Sequence, residues 1–167
     1  MPSKDNPVMA FKWQLRNLDD CRAMAQWLAE QVAKQSPTIL PLALGLVGPL
    51  GAGKTQWTKF FAQSLGVYPD DVSSPTYVLI HRYESNPPIY HVDAYRVHDE
   101  DEFLELGIEE LFEEPHMTIV EWANRFRNLM PDRTIWITFE LDPNDPSGRT
   151  ATIECGKKGP RLEPPPF

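Results

Sequence analysis

Leu40-Pro41-Leu42-Ala43-Leu44-Gly45-Leu46-Val47 runs without a break into Gly48-Pro49-Leu50-Gly51-Ala52-Gly53-Lys54-Thr55. The first half is nearly all apolar, as a strand buried on both faces of a sheet must be. The second half matches G-x-x-x-x-G-K-[ST] in full. With glycine at ~7% of residues, a chance match in a chain this long is roughly a one-in-a-hundred event. Lys54 to Leu65 then reads as a helix, and Gly66 stands where a helix stops. Strand, glycine-rich turn and helix in that order make a phosphate loop. Glycines let backbone N–H groups converge on phosphate oxygens, and the helix N-terminus adds positive potential. Lys54 is expected to bridge the β- and γ-phosphates, and the Thr55 hydroxyl to coordinate Mg²⁺.

A phosphate loop needs a carboxylate to complete its metal site. Two candidates end apolar strands: Asp93 in Ile-Tyr-His-Val-Asp and Glu121 in Thr-Ile-Val-Glu. Either can hold Mg²⁺, directly or through water, while the other orients an attacking water. The structural alternatives are an Asp93 that caps a turn and a Glu121 paired with Arg125 one helical turn on. Ser74-Pro75-Thr76-Tyr77 follows the helix by about ten residues. Thr76 there is placed to sense a γ-phosphate as switch segments do, or simply to lead a turn into a strand. His81, His91, His98 and His116 show no metal-ligand spacing, and His81 and His91 read as surface or satisfied core residues. Trp122 either packs on the ligand or fills the core.

Around this centre, strands and helices alternate. Phe11–Leu15, Tyr77–Glu84, Ile89–Tyr95, Met117–Glu121, Thr134–Glu140 and Thr150–Cys155 read as strands. Asp19 or Asp20 is placed to cap a helix to about Lys34, with Met24, Ala25, Leu28 and Val32 along one face. Ser85-Asn86-Pro87-Pro88 suggests a hairpin turn. The pattern predicts an α/β fold with a mixed sheet. Residues 1–8 are expected to be a flexible leader, 9–157 a single domain, and 158–167 a Pro-rich flexible tail, because Gly159-Pro160 and Pro164-Pro165-Pro166 supply neither ladder bonds nor helix turns.

Composition limits the partners. The 24 acidic against 16 basic residues give a net charge of −8, which argues against a chain that grips a polyanion unaided. Asp99–Glu114 concentrates nine acidic residues and no basic one around Phe103, Leu104, Leu106, Ile108, Leu111 and Phe112. It reads as an acidic amphipathic helix, or as a docking surface for a basic partner. The longest mostly apolar run, Ile39–Leu50, has 12 residues and two prolines, too short to span a bilayer. No basic stretch followed by an apolar run opens the chain, and Cys21 and Cys155 lie far apart, so a reduced cytoplasmic setting is expected.

Taken in order, Gly-Pro-Leu-Gly-Ala-Gly-Lys-Thr, Ser-Pro-Thr-Tyr, Tyr-His-Val-Asp-Ala-Tyr-Arg, Glu-Leu-Gly-Ile and Val-Glu-Trp resemble the TsaE (YjeE) family over about residues 45–150. The resemblance implies a P-loop NTPase-like three-layer sandwich with a mixed, mostly parallel sheet containing a hairpin. It implies a weak ATPase that uses ATP and Mg²⁺ in bacterial tRNA threonylcarbamoyladenosine modification, and that drives or resets the transfer complex without performing the transfer. The partners implied are a TsaD-like threonylcarbamoyl transferase subunit and a TsaB-like companion, with tRNA reached only through them and no membrane. Leu50 to Thr55 would hold the phosphates, Thr55 and Glu121 the Mg²⁺. Asp93 matches the family's essential Asp, Thr76 its switch-like Thr, and Arg149 of Gly148-Arg149 an Arg that approaches the nucleotide. Pro49 stands where the family commonly has an acidic residue.

A small-molecule kinase uses the same loop but needs arginines in a lid, and Arg125, Arg127 and Arg133 are the clustered ones. A nucleotide-gated binding module without turnover is the remaining alternative. If the acidic stretch docks a basic partner, reversing Glu109, Glu110, Glu113 and Glu114 to Lys should weaken complex formation; unchanged affinity would sink that idea.

Overall fold

The structure is a computed structural model that describes residues 9–71 and 79–167. One seven-stranded sheet organises it, in the order β1-β7-β6-β2-β5-β4-β3. Its strands are β1 (Met9–Leu15), β2 (Leu42–Val47), β3 (Ile80–Tyr83), β4 (Ile89–Asp93), β5 (Met117–Glu121), β6 (Ile135–Asp142) and β7 (Asp145–Cys155). The four central strands β6, β2, β5 and β4 are mutually parallel. Antiparallel β3 pairs with β4 as a hairpin, and β7 and β1 extend the other edge. The sheet is therefore mixed, with a parallel centre of four strands and antiparallel edges, and the hairpin lies where Ser85–Pro88 suggested it.

Alternation along the strands builds three layers. Leu42, Leu44 and Leu46 share one face with Ile119, Ile135 and Ile137, and pack against α1 (Leu18–Gln35) and α2 (Lys54–Ser64). Ala43, Val92 and Val120 face the opposite way, toward α3 (Glu100–Glu105), α4 (Ile108–Glu113) and a 3-10 turn over Ala123–Leu129. Each fully buried aliphatic side chain contributes ~1.5–3 kcal/mol, so a β2 apolar on both faces belongs at the centre. Gly45 serves the second face: a Cβ there would lie 2.8 Å from the Trp136 ring, so only glycine lets that indole lie across β2.

Three local readings are corrected. The cap of α1 is Asn17, whose side chain accepts the Asp20 N–H at 2.9 Å, while Asp19 and Asp20 sit in the first turn and oppose the helix dipole favourably. The acidic stretch forms two short helices. Gly107 takes φ +77°, so the chain turns after α3 and restarts with Phe103 and Ile108 buried together. Residues 158–167 were expected to trail free, yet Leu162 is buried, the Glu163 N–H donates to Gln31, and Phe167 packs edge-on to Trp13. Prolines that deny the segment a ladder do not prevent side-chain docking along α1 and β1. The reading of residues 1–8 and of Tyr77 lies outside the described residues.

Among the described residues no helix is long and apolar enough to cross a membrane. Cys21 and Cys155 are both free and buried, and burial pushes each thiol up to about 12. Against an ordinary value of 9.0, the native state is favoured below that pH and loses this contribution as pH rises toward 12. Neither thiol should react with a disulfide reagent at pH 8 in native protein, and both should in denaturant. Rapid native labelling of either would contradict this burial.

Candidate functional site

The parallel strands β2, β5 and β4 all end at the same edge, and the functional side chains gather there. Gly48 leaves β2 with its backbone against β6: a Cβ on it would meet the Phe139 carbonyl oxygen at 2.8 Å. Gly53 caps α2 at φ +104°, a conformation that L side chains rarely adopt. Between them the loop wraps a cleft of about 310 Å³ lined by Leu50–Thr55, Asp93, Tyr95, Glu121 and Trp122. Open space surrounds a Cβ added at Gly51 or Gly53, so a cradle is left free where the motif expects phosphates.

Asp93 and Glu121 are direct register partners on β4 and β5, which sets the two carboxylates side by side. Leu46 at the end of β2 is in register with Glu121, so α2, rising from the same strand, returns over the β5 end. The Thr55 hydroxyl donates to Glu121 Oε1 at 2.9 Å. His91 Nε2 meets the other oxygen, Oε2, at 2.7 Å. Asp93 Oδ1 accepts the Tyr95 N–H at 2.9 Å. Glu121 is therefore not paired with Arg125, whose guanidinium donates to the carbonyls of Ala94 and Tyr95.

Lys54 is buried, and its ammonium donates to the carbonyls of Gly48 at 2.6 Å and Pro49 at 3.0 Å. Burial draws its pKa below the ordinary lysine value; the charges of Glu121 and Asp93 oppose that shift. The Trp122 ring covers the ammonium, its centroid 4.0 Å from Nζ, and Tyr95 leans on the same ring at 5.0 Å. Trp122 is the only non-glycine at positive φ among the described residues, at +63°. Such backbone costs ~1–3 kcal/mol and clusters at functional sites. Arg149 reaches the loop from β7, donating to the Gly51 carbonyl at 3.3 Å. A second cleft of about 470 Å³, with Leu15, Leu18, Cys21, Phe139 and Arg149 in its wall, adjoins the loop at Ala52 and Gly53.

The structure thus brings together Leu50–Thr55, Asp93, Glu121 and Arg149. Thr76 lies outside the described residues. The three arginines that a kinase lid would need are engaged elsewhere: Arg127 over the Trp136 ring, Arg133 on the Pro41 carbonyl, and Arg125 as above. Sequence reasoning passed over His91 as a partner of Glu121. Its place two residues before Asp93 on a strand, hence on the same face, was the available signal. Nothing in the sequence marked the backbone of Trp122. Gly48→Ala should cost about 1–3 kcal/mol, because the new methyl collides with backbone, and lower the melting temperature by several degrees. A variant that melts like the parent would contradict the close approach of the loop to β6.

Comparison with known proteins bears on the family and the fold. Residues 15–151 match the family model described as threonylcarbamoyl adenosine biosynthesis protein TsaE. The chain is 36% identical over 136 residues to the tRNA threonylcarbamoyladenosine biosynthesis protein TsaE of Bacillus subtilis, covering 81% of this chain and 80% of that one. It is 32% identical over 132 residues to the protein of the same name in Rickettsia felis, with 78% and 73% covered. The crystal structure of Bacillus subtilis YdiB superimposes with a TM-score of 0.67 at 27% identity, over 90% of this chain and 88% of that one, which fits a P-loop NTPase-like fold. The chain belongs to the TsaE family of tRNA threonylcarbamoyladenosine biosynthesis.

Proposed function

We propose that this protein is a Mg²⁺-dependent ATPase that hydrolyses ATP to ADP and phosphate, driving or resetting a threonylcarbamoyl-transfer complex without performing the transfer itself. The observation that carries the reading is the Thr55–Glu121 bond, which ties the hydroxyl at the start of α2 to the carboxylate at the end of β5. The donor set fits the metal. Mg²⁺ prefers hard oxygen ligands and takes one or two carboxylates plus phosphates and water, with no all-protein cage. Among the described residues no group of three or more His, Cys, Asp or Glu side chains forms such a cage. In this reading Thr55 and Glu121 hold the ion, which supplies charge neutralisation at the phosphates. Asp93, beside Glu121 in register, orients the attacking water.

Lys54 already donates to two loop carbonyls, and a phosphate oxygen is a stronger, charged acceptor for the same protons. The second cleft, largely apolar with Arg149 in its wall, suits the nucleoside end of ATP. Thr76 is assigned the switch role on the strength of the motif. The chain acts as one ATPase domain in the cytoplasm, with residues 158–167 packed on it through Leu162 and Phe167. Family membership suggests TsaD-like and TsaB-like partners, and a net charge of −8, which disfavours direct contact with a polyanion, suggests that tRNA is reached through them.

Phosphate release from ATP with Mg²⁺, and with no acceptor present, should be slow for the chain alone and faster with a TsaB–TsaD pair. Lys54→Ala should lower it by about 100-fold or more. A rate indifferent to the pair would reject the partner assignment. Binding with no release of phosphate would favour a nucleotide-gated module.

A further inference from the structure

Glu121 is almost fully buried at 2% exposure, so both of its oxygens need partners. Thr55 serves Oε1 and His91 serves Oε2. Behind His91 a second bond follows: its Nδ1 lies 2.9 Å from the Tyr83 hydroxyl. His91 is 0% and Tyr83 1% exposed, so this chain runs through the core beneath the cleft. Its polarity follows from the donor inventory. A carboxylate only accepts, so His91 Nε2 carries the proton, and in the neutral ring Nδ1 accepts from the Tyr83 O–H.

The sequence of elements explains why these groups meet. Tyr83 closes β3, His91 is central in β4 and Glu121 ends β5, three adjacent strands whose register puts all three side chains on the face of α1 and α2. A histidine among Ile89, Ile119 and Tyr83 has no packing advantage over an aliphatic residue there. Its two ring nitrogens each have a use.

We propose that His91, backed by Tyr83, is a positioning residue: it holds Glu121 Oε2 from the core side so that Oε1 stays turned to Thr55 and the metal. The proposal rests on the reading that Thr55 and Glu121 hold Mg²⁺. Thr55 cannot by itself fix the carboxylate, because its hydroxyl is itself offered to the ion. The His91 bond is made from within the core and is independent of the cleft's contents. Partners of this kind, one bond behind a ligand, typically set metal affinity by 10–100-fold.

The test measures binding of a fluorescent ADP analogue to the intact chain, first in EDTA and then across a Mg²⁺ titration. For His91→Phe, binding in EDTA should be retained while the Mg²⁺ concentration at half-effect rises about 10–100-fold. His91→Gln, whose amide N–H can replace Nε2–H, should recover most of that loss, which a purely packing role would not produce. Tyr83→Phe removes a single oxygen and should shift the same midpoint by a few-fold, and it serves if His91→Phe fails to fold. A normal Mg²⁺ effect in the native chain that survives unchanged in all folded variants would overturn the positioning role alone. Nucleotide binding by the native chain that is indifferent to Mg²⁺ would overturn the parent reading and this proposal with it.

Discussion

The hydrogen bond from Thr55 to Glu121 is the contact on which the rest of the site depends. It joins the first turn of α2 to the end of β5, two segments 66 residues apart in sequence. The bond is possible only because β2 lies beside β5, in register from Leu42 with Met117 to Leu46 with Glu121. That adjacency in turn requires a β2 that is buried on both faces, and Gly45 and Gly48 are the positions where it meets Trp136 and the β6 backbone too closely for any side chain. Packing of the sheet and placement of the chemistry are one constraint.

The electrostatics of the cleft follow from that geometry. One buried ammonium, Lys54, faces two buried carboxylates, Asp93 and Glu121. Burial disfavours the charged lysine, and the carboxylates draw it partly back. Two loop carbonyls and the Trp122 ring complete its surroundings. An excess of negative charge at the strand ends is a poor receptor for a bare polyphosphate. It becomes a good one when a divalent cation comes with the phosphates, which is how a strongly acidic protein can use an anionic ligand. The glycine-rich loop supplies further positive potential from its N–H groups, and Arg149 adds a basic side chain beside Gly51.

Much of this was legible in the residues. The apolar run into G-x-x-x-x-G-K-T fixed strand, loop and helix, because the motif and the periodicity agree. Asp93 and Glu121 could be singled out because each ends an apolar strand, but their side-by-side register could not, since pairing order is a property of the whole sheet. The alternative that pairs Glu121 with Arg125 rests on helical spacing alone. It failed because the chain after Trp122 enters a 3-10 turn and takes Arg125 to the carbonyls of Ala94 and Tyr95. The acidic stretch misled through Gly107, whose positive φ splits what charge and periodicity present as one helix. The proline-rich end misled because proline forbids ladders and helices without forbidding contact.

The most direct measurement is the position of the metal. Crystals of the protein grown with ADP and Mn²⁺ in place of Mg²⁺ would show the ion by anomalous scattering. The account predicts a single ion between the Thr55 hydroxyl and the Glu121 carboxylate, with the Lys54 ammonium turned from the Gly48 and Pro49 carbonyls to the phosphates. An ion bound away from both residues, or a nucleotide seated while Lys54 keeps its loop carbonyls, would contradict it.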